Sequence, residues 1–220
     1  KINQQKISRK TLWFELKYNA LNFITLMSGI VAFYYLYHSG YAKIYLDIAT
    51  HGWLYFIVSI PVILLAQDFL IYWIHRMMHT VPFLYKHVHR VHHRSIRLNV
   101  LSTYSTHPLD SVLVGLGYLA TAMIVPVNLY ALLIAFTLGE VSVIMHHSNY
   151  ELFPRWVLKH PILRYIGSAT HHSVHHERGG RSNYGQYTMI WDHIFGTVNP
   201  HTEQRVDEVL AQRSKAASHS

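Results

Sequence analysis

Three histidine clusters hold most of the chemistry available to this sequence. They are His75-Arg-Met-Met-His79, His87-Val-His89-Arg-Val-His92-His93 and His171-His172-Ser-Val-His175-His176. On a helix, residues i and i+4 lie one turn apart on one face, so His75 and His79 can present two imidazoles together. His89, His92 and His93 are spaced i, i+3, i+4, and His172, His175 and His176 repeat that spacing. It predicts three rings on one helical face in each cluster. Neutral imidazole is the commonest metal-ligating side chain. A lone histidine is more often a satisfied core or surface residue, and histidine-rich tracts also occur in linkers. Neither reading explains three spaced clusters. Eight or more ring nitrogens exceed what one ion takes, so two ions with four or five nitrogens each fit the count. Imidazole suits Zn, Fe, Cu and Ni alike, and the spacing does not choose among them.

Composition narrows the alternatives. The chain has 220 residues, the size of one domain, with 19 histidines and no cysteine. Disulfides, thiolate zinc sites and cysteine-ligated iron–sulfur clusters are therefore excluded. Only 14% of residues are charged against 50% hydrophobic, well under the roughly 25% charged of an average soluble protein. The net charge of +8 suits either nucleic acid or an anionic membrane face, and the apolar runs favour the membrane. No short apolar segment precedes a small-residue cleavage site, so no secretory leader is expected.

The elements that must position the histidines are those runs. Tyr18 to Ala42 contains no Asp, Glu, Lys or Arg, and a second apolar run extends from Trp53 to Ile74, with Pro61, Gln67 and Asp68 inside it. About 20 apolar residues cross a bilayer core. Ser111 to Gly139 is uncharged and too long for one ordinary crossing. Pro126-Val127-Asn128 near its middle predicts two helices joined by a tight turn, roughly Leu109–Val125 and Val127–His146. Four crossings put the N-terminus, residues 75–108 and everything after His147 on one side, together with every Lys and Arg except Lys43. The positive-inside rule makes that side cytoplasmic. His107 and His147, at the two ends of the hairpin, then share it with all three clusters. The 16 tyrosines and 5 tryptophans suit interface anchors. The expected architecture is an all-α membrane bundle of about four transmembrane helices under a cytoplasmic helical cap. It forms a single domain over 1–220 with its core at about 53–199 and a polar tail over 200–220. Ser214 to Ser220 is expected to be frayed, and His219 within it to carry no function.

The clusters resemble the histidine boxes of the fatty acid hydroxylase/sterol desaturase superfamily of membrane di-iron enzymes. That pattern is HxxxH, HxxHH and a later HxxHH, met here by His75–His79, His89–His93 and His172–His176. Flanking residues resemble the family as well: Asp68 to Arg76, Tyr85-Lys86-His87, His107-Pro108-Leu109-Asp110, His147-Ser148-Asn149, Asn183-Tyr184-Gly185 and Trp191 to Thr197. The resemblance implies two Fe ions, which zinc can replace in purified protein, and O₂ as co-substrate. It further implies a membrane lipid as substrate, hydroxylated or desaturated. The electron donor would be a separate cytochrome b5 or a ferredoxin with its reductase, and no nucleic acid is involved. The membrane would be a bacterial inner membrane or the endoplasmic reticulum. As metal ligands it carries over the eight box histidines, His75, His79, His89, His92, His93, His172, His175 and His176. His147 is added, and His107 is a further ligand or a support. Some members have one more histidine where this chain reads Val141-Ser142-Val143, so the ligand set is smaller or includes His107. His146 and His171 duplicate neighbours and stay unassigned, and His87 belongs to the surface or the surroundings of the site.

Four further residues are candidates for orienting the ligands. Asp68 lies seven residues before His75, two turns away on nearly the same face, where it can accept an imidazole N–H or pair elsewhere. Glu140 lies seven before His147 and invites the same argument. Asn183 and Asp192 are expected to orient the third box or cap its helix, and Arg76 to face lipid headgroups. The main alternative is a histidine-ligated membrane zinc protein or metal transporter without oxygenase activity. Transporter ligands belong at the bilayer midplane, whereas these lie at its border. A haem bundle would need histidines inside facing crossings, and a scaffold would not need intact boxes.

Overall fold

The computed structural model describes residues 1–177 and 179–218. Arg178, His219 and Ser220 lie outside the described residues, and with them the expectation for His219. Helix α1 (Arg9–His38) starts where the Ser8 side chain accepts the Thr11 N–H at 3.1 Å and ends before Gly40, whose φ of +75° an L side chain would resist. After a short strand β1 (Ile44–Tyr45), α2 (Gly52–Thr80) runs for 29 residues through Pro61. At 1.5 Å per residue α2 is about 43 Å long, against roughly 30 Å of hydrocarbon core. Its length exceeds that thickness, and His75 and His79 lie in its final turns. Val81 is extended because Pro82 disfavours a helical residue before it, and Pro82 opens the one-turn α3 (Pro82–His87).

The hairpin forms as expected, from α4 (Pro108–Ile124) and α5 (Leu129–His147). Its turn carries β2 (Val127–Asn128), which pairs in parallel with β1, Ile44 against Val127 and Tyr45 against Asn128. This two-residue ladder ties the hairpin turn to the chain that leaves α1, at the end of α2 and α5 away from the histidines. Helix α2 packs on both α4 and α5, and α1 packs on α4. Three helices, α1, α2 and α5, are long and apolar enough to cross a membrane, and α4 is an apolar helix of 17 residues, the short limit for a crossing. The chain is a multi-pass membrane protein.

Beyond α5 the chain folds back over the histidine end of the bundle as α6 (Arg155–Leu158), α7 (Ala169–Glu177), α8 (Ile190–Ile194) and α9 (Thr202–Ala217). The described residues are mostly helical, with β1 and β2 as the named strands. Helix α9 continues to Ala217, three residues past the Ser214 at which fraying was expected to begin, and its earlier turns pack. Its Val206, Val209 and Leu210 repeat at i, i+3, i+4 and are buried, a packed amphipathic face.

Burial is inverted relative to a protein in water. The fully buried side chains of α1 are Glu15 and Asn22, while Phe23, Ile24, Ile30 and Val31 are exposed. Glu15 accepts from Ser95 Oγ at 2.8 Å and from Asn99 Nδ2 at 3.0–3.1 Å. Asn22 donates to the carbonyls of Tyr104 and Thr106 at 2.8 and 2.7 Å and accepts from Ser111 Oγ at 2.6 Å. Polar contacts thus hold α1 against residues 95–111 where a soluble helix would use apolar ones. Losing a buried hydrogen-bond partner costs about 1–3 kcal/mol, so Asn22→Leu should lower the thermal midpoint in detergent. An unchanged midpoint would show that apolar packing holds α1.

Candidate metal centre

Four elements deliver nine imidazoles to one place. The end of α2 supplies His75 and His79, and the last turn of α5 supplies His147. A 3₁₀ turn over His89–Arg94 supplies His89, His92 and His93, and α7 supplies His172, His175 and His176. They form two groups, His75, His79, His89, His93 and His175 in one, His92, His147, His172 and His176 in the other. Within each group the ligating nitrogens lie within 4.8 Å of one another. The expectation of an α-helical second box is corrected here. The segment is a 3₁₀ turn, and in it His89 and His93 belong to the first group and His92 to the second. In α7 the one broad histidine face is likewise divided, His175 to the first group and His172 and His176 to the second. The neighbours His92-His93 and His175-His176 therefore stitch the two groups together, and the rings of His93 and His176 stack at 4.4 Å.

Hydrogen bonds fix which ring nitrogen points inward. Nδ1 of His75 donates to the Tyr184 carbonyl at 2.8 Å, that of His175 to the Ser182 carbonyl at 2.6 Å, and that of His147 to the Val143 carbonyl at 3.0 Å. Nδ1 of His89 donates to Asp110 Oδ2 at 2.7 Å. Carbonyls and carboxylates only accept, so each of these four rings donates from Nδ1 and turns its Nε2 into its group, where the nitrogen of a neutral ring carries a lone pair. There the Nε2 of His175 lies 3.1 Å from that of His93, and that of His147 lies 3.1 Å and 3.4 Å from those of His172 and His92. Between His79 and His93 the separation is 3.0 Å, and between His172 and His176 3.1 Å. Where neither nitrogen of such a pair carries a proton, the lone pairs repel unless a cation shares them.

Protonation does not relieve that repulsion, because the rings are buried. Burial first, and neighbouring rings second, hold His92, His93, His172 and His176 well below the usual imidazole pKa, and His175 is lowered to about 3. Neutral nitrogens without thiolate or carboxylate among them fit a pair of first-row transition-metal ions. Gly180 seals the first group. Its φ is +66°, and a Cβ there would collide with the His79 ring and crowd His93. Only glycine lets this backbone lie against the ligand rings.

Asp68 and Glu140 have different partners from those expected. Asp68 meets no imidazole. It accepts from the backbone N–H of Tyr187 at 2.7 Å, Thr188 Oγ1 at 2.6 Å and Trp191 Nε1 at 3.0 Å, fastening residues 187–191 to α2. Glu140 accepts from the hydroxyls of Tyr104 and Tyr118, again with no imidazole. Asp192 accepts from the N–H groups of Tyr184 and Gly185 at 2.8 and 2.6 Å and from Thr197 Oγ1. It thereby fixes the Tyr184 carbonyl that orients His75. Asn183, at φ +56°, donates to the His171 carbonyl and to Thr202 Oγ1, linking α7 to the start of α9. His107 stands outside both groups, and its Nδ1 accepts the Leu109 N–H at 3.2 Å as the cap of α4. His146 and His171 are buried outside the groups and His87 is exposed. Arg76 donates to the Tyr72 hydroxyl at 3.3 Å and lies over the Trp73 ring. Sequence reasoning passed over Asp110 as a ring-orienting acid. It is the one acidic residue between Asp68 and Glu140, and that isolation was the available signal.

A family model described as fatty acid hydroxylase matches residues 60–197. The chain is 31% identical over 171 residues to putative Delta(7)-sterol-C5(6)-desaturase 2 of Arabidopsis thaliana, covering 74% of this chain and 56% of that protein. It is 29% identical over 175 residues to Delta(7)-sterol-C5(6)-desaturase of Nicotiana tabacum, covering 77% and 60%. Against lathosterol oxidase of Rattus norvegicus it is 34% identical over 170 residues, covering 76% and 54%. The chain thus spans between half and two thirds of the length of these relatives. No solved structure matches it.

Two outcomes are expected. Because His175 and His176 serve different groups, His175→Ala and His176→Ala should each weaken one metal site more than the other, read by elemental analysis during stepwise chelation. Identical two-ion loss from both would join the groups into one site. In metal-free protein, rings with folded pKa values below the free value near 6.5 bind fewer protons than the unfolded chain. The fold should be most stable above about pH 6.5 and weaken as pH falls towards 3, the value about which His175 is held. A flat thermal midpoint between pH 7 and 5 would contradict this.

Proposed function

The chain belongs to the fatty acid hydroxylase family, and on that premise we propose that it is a membrane oxidoreductase that desaturates or hydroxylates a lipid at a histidine-held pair of irons, with O₂ as oxidant. The observation that carries the reading is the convergence of inward-facing, neutral imidazole nitrogens in two adjoining groups of five and four. His75, His79, His89, His93 and His175 would hold one ion, and His92, His147, His172 and His176 the other. When bound, the irons supply the redox capacity to use O₂ against an unactivated C–H bond.

The chain's own residues prepare that centre. Asp110 and the carbonyls of Tyr184, Ser182 and Val143 set ring orientation and raise ligand basicity. The buried α7 and the Gly180 backbone exclude bulk water from one side. The histidine end is the basic end of the chain, which supports a cytoplasmic location and access for a soluble donor domain such as cytochrome b5 or a ferredoxin. The lipid would arrive from the bilayer. Sterols are the favoured substrates, because the relatives bear names of sterol C5(6) desaturases and a lathosterol oxidase. The zinc transporter alternative is disfavoured by ligands at the end of the crossings rather than at their middle.

Purified, iron-loaded protein supplied with a donor system should consume O₂ and convert lathosterol more readily than a fatty-acyl panel. Protein with both ions bound that oxidises none of these lipids would overturn the proposal.

A further inference from the structure

A second polar assembly lies two turns of α5 from the histidines and plays no part in orienting them. Glu140 sits seven residues before His147, about 10 Å along the helix axis. Its Oε1 accepts from the Tyr118 hydroxyl of α4 at 3.2 Å, and its Oε2 accepts from the Tyr104 hydroxyl. Tyr118 Oη lies 2.6 Å from Tyr187 Oη, and the Tyr187 backbone is held by Asp68 of α2. Gly139 makes the approach possible, since a Cβ there would strike the Tyr187 hydroxyl. One carboxylate and three phenols thus form a chain from α2 through α4 and α5 out to Tyr104.

That outer end meets lipid. Tyr104 is 42% exposed, and the α5 neighbours of Glu140, Leu138 and Val141, are also exposed. An ionisable side chain on a membrane-crossing helix is costly and marks a functional site with a partner. The chemistry of the assembly selects its ligand. The carboxylate accepts and each phenol holds one proton, so an alcohol can give its proton to a remaining lone pair of Glu140 and accept the proton of Tyr104 when that hydroxyl turns from Glu140 to the ligand. A fatty acid carboxylate or a phosphate has no proton for Glu140 at neutral pH and would bring a second negative charge beside it.

We propose that Glu140, with Tyr104 and Tyr118, binds the hydroxyl group of an uncharged lipid alcohol arriving from the bilayer and directs the remainder of that lipid towards the histidines. The proposal rests on the reading of the chain as a lipid oxidoreductase and specifies the class of lipid. The axial offset between Glu140 and His147 places the oxidised carbon several bonds from the anchored hydroxyl.

The test measures binding in protein loaded with zinc, which occupies imidazole sites without redox chemistry, in nanodiscs. The probes are lathosterol, its 3-O-methyl ether and octadecanoate. Wild-type protein should bind the alcohol about tenfold or more tightly than the ether, the effect of one hydrogen bond to a charged group, and should bind octadecanoate weakly. The preference should shrink in Glu140→Gln and vanish in Glu140→Leu. Tyr104→Phe, which keeps the ring and its packing, should also reduce it with an unchanged thermal midpoint, and it carries the comparison if Glu140→Leu fails to fold. Equal wild-type binding of alcohol and ether, no binding of the alcohol, or a preference untouched by these substitutions would overturn the proposal. Failure of the oxidoreductase reading is distinct. It would leave alcohol binding intact, with no O₂-dependent product from iron-loaded protein.

Discussion

Imidazoles that donate outward must face inward with a lone pair, and the protein sets that condition at four rings at once. Tyr184, Ser182 and Val143 offer carbonyls and Asp110 a carboxylate to the outer nitrogens of His75, His175, His147 and His89. The inner nitrogens of His175 and His147 then lie 3.1–3.4 Å from other ring nitrogens. Burial denies them protons. A cation would resolve this arrangement, and its binding would then stabilise the cap. The larger features of the fold follow from the need to assemble these rings. Helix α2 carries His75 and His79 in its final turns, Pro82 turns the chain so that a 3₁₀ segment can lay His89, His92 and His93 beside them, and the α4–α5 hairpin returns His147 to the same end. Helix α7, buried from Ala169 to His176, closes the set.

Acidic residues do most of the remaining positioning, each by satisfying backbone or hydroxyl donors. Asp68 holds residues 187–191 against α2, and Asp192 holds Tyr184 and Gly185. Irregular backbone at the depth of a crossing is tolerated when its polar groups are satisfied inside the protein. These two aspartates meet that demand, and Asp192 in the same act sets the carbonyl that orients His75. Glu15 and Glu151 do similar work at the edges, Glu15 tying α1 to Ser95 and Asn99, and Glu151 accepting both the N–H and the hydroxyl of Thr170 at the start of α7.

Much of this was legible in the sequence because it is local and periodic. Uncharged runs marked the crossings, Pro126 and Asn128 marked the hairpin turn, and the spacing of the boxes brought their histidines into consideration together. What escaped was pairing across the chain. Seven-residue spacing put Asp68 on the face of His75, yet the donors nearest it come from residues 187–191, which no helical period predicts. His107 stood beside Pro108 as a ligand candidate. The Pro also starts α4, and the ring serves as its cap. The second box reads the same whether α or 3₁₀, so the division of His92 from His89 and His93 could not be seen. At the C-terminus, Val206, Val209 and Leu210 carried a short helical period inside a polar stretch, and composition outweighed it.

The nine imidazoles are arranged to form two adjoining nitrogen-rich metal sites. X-ray absorption spectroscopy of protein loaded to saturation with zinc, combined with elemental analysis, tests it most directly. Two ions per chain, each with a shell of imidazole nitrogens near 2.0–2.1 Å, is the result this geometry requires. One ion per chain, or a shell dominated by oxygen, would contradict it.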